Sequence, residues 1–272
     1  MNRIIEEQRV EGKRLGRHVN HDPRSLAYAI RPRAALAKTQ LWPQRIAILD
    51  QGNIGSCTAN SATLTLGSDP YWDTLPASVQ AALNEAYAVQ LYRDTTRTDP
   101  YPGAWEPDDT GSDGVSAAKV VQKRGLISGY VHALSIDAVI TGLQTGPMPT
   151  GINWYEGMDN PDSSGLIHPT GNVRGGHEPT LAGVDVDAKK FRIANSWGDS
   201  WGDKGYCDIT FTDFDQLLHE QGDATSYVPN TAPAPTPTTL TPNAADLEYA
   251  QKAGAATRRT KAYKTWAAAL GL

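Results

Sequence analysis

The spacing of apolar and polar residues changes halfway along the chain. In the first half it is helical, and the predicted helices span residues 57–67, 78–95 and 115–124. In the second half, short β-prone runs separated by glycine and aspartate turns predict antiparallel strands at residues 180–186, 190–194 and 206–211. Helices first and strands later indicate an α+β fold with two lobes.

Proline interrupts the chain near its C-terminal end. Residues 229–242 contain prolines too closely spaced for a helix or a central strand, which predicts an extended, semi-rigid linker. Asn243 can then cap a basic amphipathic helix over residues 243–272. Its apolar face is formed by Tyr263, Trp266, Ala267 and Leu270. One helix cannot bury that face alone, so we expect it to dock on the body of this protein, on a partner protein or assembly, or on a membrane surface.

Charge divides the chain into an acidic body and two basic ends. Residues 1–40 hold nine Lys/Arg and four Asp/Glu, residues 41–242 hold 11 and 24, and residues 243–272 hold five and two. The body therefore carries a net charge of −13, the N-terminal end a net charge of +5 and the C-terminal end a net charge of +3. The basic ends could contact nucleic acid, an anionic partner or the acidic body, and we favour the body because segments of one chain meet at high effective concentration. The N-terminal end would then form a brief cover over the body.

These patterns divide the chain into four parts. They are a basic N-terminal arm (residues 1–40), a body (residues 41–228), the linker (residues 229–242) and the C-terminal helix (residues 243–272).

No apolar run reaches about 18 residues, and the first 16 residues are polar and charged, so we expect neither a transmembrane segment nor a cleaved signal. We therefore expect a cytoplasmic or virion-associated protein.

Several classes of site are disfavoured by the residues present. The two cysteines lie 150 positions apart, which encodes no disulfide framework and is compatible with a reducing compartment. The histidines have no metal-ligand spacing, no glycine-rich phosphate loop is present, and basic residues do not alternate with aromatic ones. The carboxylates between residues 99 and 113 are interpreted as a solvated acidic loop rather than a calcium site. No metal, cofactor or nucleic acid is therefore expected.

A lone cysteine lies at the first turn of a predicted helix. Cys57 follows Gly52 and Gly55, which permit a sharp turn and leave room for a substrate. Backbone N–H groups and the positive end of the helix dipole stabilise a thiolate at such a position. The amide of Gln51 could join the Cys57 backbone N–H in a two-donor oxyanion hole. The pattern favours a nucleophile here, whereas Cys207 lies in a predicted strand and is interpreted as structural.

A cysteine nucleophile needs a general base and a group that orients the base. His177 differs from the other five histidines because two glycines precede it and a β-prone run follows. Asn195 comes 18 positions later, and its side-chain oxygen could accept from one imidazole nitrogen and leave the other for sulfur. Trp197 could shield that hydrogen bond from water. The spacing thus predicts a cysteine, histidine and asparagine triad.

Three blocks, in this order, resemble the papain-like cysteine peptidases. They are Gln51-Gly52-x-x-Gly55-Ser56-Cys57, then Gly175-Gly176-His177, then Asn195-Ser196-Trp197-Gly198-x-x-Trp201-Gly202-x-x-Gly205-Tyr206. Between them, Gly111-Ser112 is similar to the family's cleft glycine segment, where substrate backbone pairs beside the specificity pocket. The resemblance covers about residues 40–222.

The resemblance implies a two-lobed papain-like fold, with a helical N-terminal lobe, an antiparallel β-sheet or barrel C-terminal lobe and the active-site cleft between them. It implies that Cys57 is the nucleophile, His177 the general base and acid, Asn195 the orienting residue and Gln51 an oxyanion-hole donor. The implied substrate-binding residues are Gly111, Ser112, Gly176 and Trp197. The implied reaction is hydrolysis of peptide bonds through a thioester acyl-enzyme.

The chain departs from the family pattern at several positions. Ile54 replaces a common disulfide cysteine, which is similar to bacterial or phage members, and Thr58 replaces an aromatic residue. Glu178 and Pro179 follow the histidine. Pro179 removes one hydrogen-bond donor from the strand ladder and Glu178 places a carboxylate beside the imidazole, so His177 could be displaced or held more strongly protonated. Residues 1–40 are also too short for a long helical inhibitory prosegment.

Two other functions are compatible with parts of this sequence. The first is a catalytically idle papain-like component of a phage or bacterial assembly, held through residues 243–272. The second is a cell-wall peptide hydrolase, although compact enzymes of that kind usually lack the block that begins at Asn195. An active thiol peptidase is the hypothesis that the three blocks favour.

Overall fold

The structure is a computed structural model that describes residues 2–21, 27–33, 35 and 37–231. The linker beyond residue 231 and the helix predicted for residues 243–272 lie outside the described residues. None of the helices in the described part is long and apolar enough to cross a membrane.

The helices of the described part lie mostly in the first half of the body. They are α1 (Cys57–Leu66), α2 (Ala77–Gln80), α3 (Glu85–Thr96), α4 (Gly114–Lys123), α5 (Ile136–Gly142) and α6 (Phe211–His219). The helices predicted at residues 57–67 and 115–124 are confirmed to within one residue. The single helix predicted over residues 78–95 is wrong, because it is divided into α2 and α3. Asn84 has an extended backbone and accepts a hydrogen bond from the Tyr87 N–H, so it starts a new helix.

The strands form a small and a large sheet. They are β1 (Asn2–Arg3), β2 (Val19–Asn20), β3 (Gln40–Leu41), β4 (Gly129–Ala133), β5 (Met148–Tyr155), β6 (Val173–His177), β7 (Thr180–Asp185), β8 (Lys190–Ala194), β9 (Tyr206–Thr210) and β10 (Asp223–Val228). The three predicted strands correspond to β7, β8 and β9, each to within one residue.

The large sheet has the strand order β4, β10, β5, β7, β8, β9, with β3 paired to β7 and β6 paired to β5. All of these pairs are antiparallel. The sheet is open, because β4 and β9 at its two ends do not pair with each other among the described residues. The resemblance implies either a sheet or a barrel for the C-terminal lobe; the open sheet is correct and the barrel is wrong. Helix α6 follows β9 directly and packs against it.

The helical lobe is organised around α1. All ten of its residues are buried, because it packs against α3, α4 and the sheet strands β5 and β7. Leu64 and Leu66 are completely buried, and each such side chain contributes about 1.5–3 kcal/mol by leaving water. A helix enclosed on all sides holds its first residue, Cys57, in a fixed position.

The core of the sheet lobe ends in an aromatic cluster beside β6. The ring of Trp154, on β5, lies 5.1 Å from the ring of Trp197 and 6.4 Å from the ring of Trp201, measured between centroids. All three indoles are buried. The cluster forms a rigid apolar wall on which the imidazole of His177 packs.

The N-terminal arm enters the space between the two lobes. Strands β1 and β2 pair with each other, which closes residues 2–20 into a loop. The returning part of this loop, residues 14–18, is here called the cleft limb. It is buried except at Gly16, which is half-buried. The cleft limb therefore packs as tightly as core structure, although it precedes the body in the chain.

Candidate active site

Cys57 is the first residue of α1 and is completely buried. Burial raises the pKa of its thiol well above the ordinary value, and the charge of Glu178 raises it further. Backbone hydrogen bonds from Glu178 and Thr58 act in the opposite direction and favour the thiolate. Groups that favour a thiolate are therefore present beside Cys57. Burial of the sulfur away from water has the larger effect on its pKa and keeps the thiol neutral while the N-terminal arm covers the site.

His177 ends β6, and its Nε2 lies 2.7 Å from Oδ1 of Asn195, the residue that follows β8. The same Oδ1 accepts a second hydrogen bond, 2.9 Å long, from the backbone N–H of Ser196. Because this oxygen is an acceptor, Nε2 of His177 must carry the proton. Nδ1, which has no hydrogen-bond partner among the described residues, is then the basic nitrogen.

Aromatic rings hold the imidazole of His177 on two sides. The ring of Trp197 stacks on it at a centroid distance of 5.0 Å, and the ring of Trp154 meets it edge to face at 4.8 Å. Burial lowers the pKa of His177 to about 4, although its hydrogen bond to Asn195 acts to raise it. The covered site thus contains a neutral imidazole and a neutral thiol.

Gln51 is buried and hydrogen-bonded at both ends of its amide. Its Nε2 donates to the Ile54 carbonyl at 2.8 Å and to the Leu15 carbonyl at 3.3 Å. Its Oε1 accepts from the Ser196 hydroxyl at 2.7 Å. The Gln51 amide therefore already contacts a peptide carbonyl, which belongs to the N-terminal arm.

Ser196 was not singled out from the sequence, although it lies within one of the three blocks. Its hydroxyl orients the amide of Gln51, and its backbone N–H orients the amide of Asn195. One residue thus connects the predicted oxyanion donor to the predicted orienting residue. The signal that could have identified Ser196 as a site residue is its position in the sequence, between Asn195 and Trp197.

The cleft limb pairs with both walls of the cleft. The Gly176 carbonyl accepts from the N–H groups of Gly16 and Arg17, at 3.1 and 2.9 Å. On the opposite wall, the Ser112 N–H donates to the Gly16 carbonyl at 2.8 Å, and the Ser112 carbonyl accepts from the His18 N–H at 2.6 Å.

The other two residues predicted to bind substrate also contact the cleft limb. Nε1 of Trp197 donates to the Arg14 carbonyl at 2.9 Å. A Cβ atom at Gly111 would lie 2.3 Å from the Gly16 carbonyl oxygen, so only glycine permits this approach. The structure thus brings Gly111 and Trp197, like Ser112 and Gly176, against the backbone of the arm.

The predicted effect of Glu178 on His177 is wrong. Its carboxylate points toward Gly114, where a Cβ atom would lie 2.3 Å from Glu178 Oε1. The pKa of His177 is lowered rather than raised, because burial dominates. Pro179 lies between β6 and β7, and its carbonyl accepts from the Ser61 hydroxyl at 2.9 Å. This dipeptide therefore connects the sheet to α1 without displacing His177.

The prediction of a solvated acidic loop is wrong for the carboxylates of Asp109 and Asp113. Asp109 accepts hydrogen bonds from the Gly55 N–H at 3.0 Å and from the Tyr92 hydroxyl at 2.8 Å. Asp113 is buried and caps α4 through the Ser116 N–H. Asp109 therefore positions the turn that precedes Cys57.

Part of this chain matches a known protein family. The model of the papain family cysteine protease matches residues 84–218. This range contains His177 and Asn195, and Cys57 lies before it.

Two curated proteins show the extent of the sequence similarity. Cathepsin B-like CP3 of Giardia intestinalis is 26% identical over 190 residues, which cover 58% of this chain and 62% of that protein. Gamete and mating-type specific protein A of Dictyostelium discoideum is 28% identical over 183 residues, which cover 60% and 40%. The chain thus spans less than two thirds of the length of either relative.

Two solved structures share the fold. Xylellain, a cysteine protease from Xylella fastidiosa, matches with a TM-score of 0.61 at 18% identity and covers 82% of this chain and 98% of its own. The proform of the Amb a 11 cysteine protease, a major ragweed pollen allergen, matches with a TM-score of 0.51 at 17% identity, covering 77% and 72%. The fold is therefore papain-like. The family match over residues 84–218 and this fold together support a papain-like cysteine peptidase.

Proposed function

We propose that this protein hydrolyses peptide bonds, with Cys57 as nucleophile. The observation that carries the proposal is the hydrogen bond from His177 Nε2 to Asn195 Oδ1, which leaves Nδ1 as the base. Nδ1 would take the thiol proton, and the sulfur would attack the peptide carbonyl carbon. The amide N–H₂ of Gln51 and the backbone N–H of Cys57 would stabilise the oxyanion.

The second half of the reaction follows from the same groups. When the C–N bond breaks, protonated His177 would transfer its proton to the leaving amine, and a thioester to Cys57 would remain. His177 would then deprotonate a water that attacks the thioester and releases the carboxylic acid. As the thioester C–S bond breaks, the proton that His177 took from water would pass to the Cys57 sulfur, so the thiol and the neutral imidazole are restored and no cofactor is required.

We propose further that the N-terminal arm must leave the cleft before a substrate can enter. The arm's backbone uses the hydrogen-bonding groups of Ser112 and Gly176, and its Leu15 carbonyl contacts the amide of Gln51. A peptide substrate would need these same groups. Departure of the arm would also admit water, which removes the main cause that keeps the Cys57 thiol neutral.

Labelling with a vinyl-sulfone or epoxide thiol probe, located by mass spectrometry, tests the nucleophile. In a Gly16→Ala variant, whose added Cβ disfavours the covered form, Cys57 should be labelled rapidly, and adding His177→Ala should slow the reaction sharply. The chain provides its own control in Cys207, a buried residue of β9, because Cys207→Ala should leave labelling and peptide hydrolysis unchanged. If Cys57 reacts no faster than an ordinary accessible thiol and no peptide is cleaved, the protein is an idle papain-like module.

We also propose, from the sequence alone, that the helix predicted for residues 243–272 docks on a protein partner or assembly, as the alternative to docking on the acidic body of this protein. Its apolar face and basic charge support this role. Deletion of residues 229–272 should then leave the melting temperature nearly unchanged. A large decrease would instead mean that the helix packs on the body of this protein.

A further inference from the structure

The side chain of Arg17 enters the protein from the middle of the cleft limb. The residues on either side of it, Gly16 and His18, both pair with Ser112, and its own N–H donates to Gly176. This backbone pairing directs the Arg17 side chain into the body, where it is completely buried. A bound peptide that used the same backbone groups would place one of its side chains at this point.

The guanidinium of Arg17 lies in a site built for a cation. Its Nη2 forms a short ion pair with Asp223 Oδ2 and donates to the Gln221 carbonyl at 2.7 Å. Gly151 provides the space, because a Cβ atom there would lie 2.4 Å from Arg17 Nε. The ion pair recognises the positive charge of the guanidinium, and the absence of a side chain at Gly151 leaves room for it.

Two further carboxyl groups, those of Glu178 and Asp113, are buried near Asp223. Burial raises the pKa of Glu178 well above its ordinary value, the charge of Asp223 raises it further, and Arg17 lowers it. Glu178 Oε2 has no hydrogen-bond partner among the described residues. A buried acidic group without a partner is costly, and a cation beside it reduces that cost.

The cation at this site comes from the N-terminal arm. Arg17 forms the ion pair with Asp223, and its charge also acts on Glu178. His21 belongs to the arm as well, but burial lowers its pKa to about 4, so its imidazole is neutral. When the arm leaves, Asp223 loses the Arg17 guanidinium. An apolar side chain entering the pocket would leave the Asp223 carboxylate uncompensated, whereas an arginine side chain would restore the ion pair.

We infer that the pocket formed by Asp113, Gly151, Glu178, Gln221 and Asp223 is a substrate subsite selective for a basic side chain, arginine above all. In the covered structure Arg17 occupies this subsite in place of the substrate residue. The inference rests on the proposed peptidase function and specifies its substrate class: peptides with an arginine at the position that faces this pocket.

Position-by-position profiling of the full-length chain tests the selectivity. Fluorogenic tetrapeptides would carry arginine, citrulline or norleucine at each position in turn. At one position kcat/KM for arginine should exceed that for norleucine by about 10- to 100-fold. Citrulline, which has the shape of arginine without its charge, should resemble norleucine. Asp223→Asn should make kcat/KM for the arginine, citrulline and norleucine peptides nearly equal. Asp69→Asn is the control: it removes a surface ion pair with Arg45 and should leave the preference for arginine unchanged.

A binding measurement separates this inference from the proposed catalysis. Arg17→Ala in the full-length chain should be stabilised by millimolar ethylguanidinium, seen as a rise in melting temperature beyond that of the wild type. Arg17→Gln provides a second background if the alanine variant folds poorly. Adding Asp223→Asn should abolish the effect.

The outcomes distinguish the two proposals. If peptides are cleaved with equal kcat/KM for arginine, citrulline and norleucine at every position, the subsite is overturned and the peptidase function stands. If no peptide is cleaved but ethylguanidinium stabilises the Arg17 variants through Asp223, the pocket is supported and the peptidase function fails. Absence of any ethylguanidinium effect in both Arg17 variants overturns the pocket.

Discussion

Nε2 of His177 lies 2.7 Å from Oδ1 of Asn195, and this oxygen is held in place by the Ser196 N–H. The arrangement selects one imidazole tautomer and fixes the plane of the ring between Trp154 and Trp197. Asn195 thus acts on the reaction through His177 rather than by touching the substrate. Its removal should change the rate of the reaction more than the stability of the fold.

Asn195→Ala should reduce kcat/KM for peptide hydrolysis about 10- to 100-fold, because a hydrogen bond to a group that becomes charged contributes about 1.5–3 kcal/mol. Steady-state kinetics with a fluorogenic peptide would measure the effect. Asn172→Ala, at an exposed residue outside the cleft, should be indistinguishable from wild type. An Asn195→Ala enzyme with unchanged kcat/KM would contradict the orienting role.

Gln51→Ala should lower kcat about 100-fold with little change in KM, because an oxyanion-hole donor acts on the transition state more than on the bound substrate. Gln90→Ala, on the exposed side of α3, is the control. Equal losses in kcat for the two variants, or a change confined to KM, would show that the Gln51 amide does not stabilise the oxyanion.

Gly16→Ala should increase the initial rate of Cys57 labelling by about tenfold, which corresponds to a loss of about 1.4 kcal/mol in arm binding. A Cβ atom at this residue would lie 2.2 Å from the Gly55 carbonyl oxygen, and its φ of +139° favours glycine. The matched control is Gly12→Ala, because Gly12 also has a positive φ but no atom within 4 Å of a Cβ. If Gly16→Ala labels no faster than Gly12→Ala, the arm does not limit access to Cys57.

The covered form should lose stability in acid partly through His177. Burial lowers its pKa to about 4, below the ordinary value of 6.5, so the unfolded chain binds more protons between these pH values. The resulting contribution to stability is present above about pH 6.5 and is lost as the pH falls toward 4. His177→Gln should therefore reduce the loss in free energy of unfolding between pH 7 and 4.5 by about 2 kcal/mol.

Denaturant unfolding at the two pH values would measure this difference. His219→Gln, at the end of α6, serves as control because it lies outside the cleft. The other buried acidic and basic groups are the same in the wild type and in both variants, so their contributions to the acid-induced loss in free energy of unfolding cancel in the comparison. A His177→Gln protein with the same acid-induced loss as wild type would mean that His177 is not held neutral in the covered form.

Local sequence patterns predicted most elements of the body. Gly67 and Gly125 correctly marked the ends of helices, and β-prone runs located β7, β8 and β9. The break between α2 and α3 was missed, because the capping hydrogen bond of Asn84 outweighed a continuous helical pattern around it. Such signals operate over a few residues and can be read from neighbouring positions.

The sequence by itself determined the class of fold, the order of the three blocks and the identity of Cys57, His177, Asn195 and Gln51 as a candidate set. Only the tertiary structure decided that the cleft limb pairs with Ser112 and Gly176, that Ser196 connects the two amides, and that Arg17 lies against Asp223. The physical reason is the range of the interactions. Helix caps and strand patterns join near neighbours. The contacts of the cleft limb with Ser112 and Gly176, of Ser196 with Gln51 and of Arg17 with Asp223 instead join residues 94 to 206 positions apart, whose meeting depends on the packing of the whole chain.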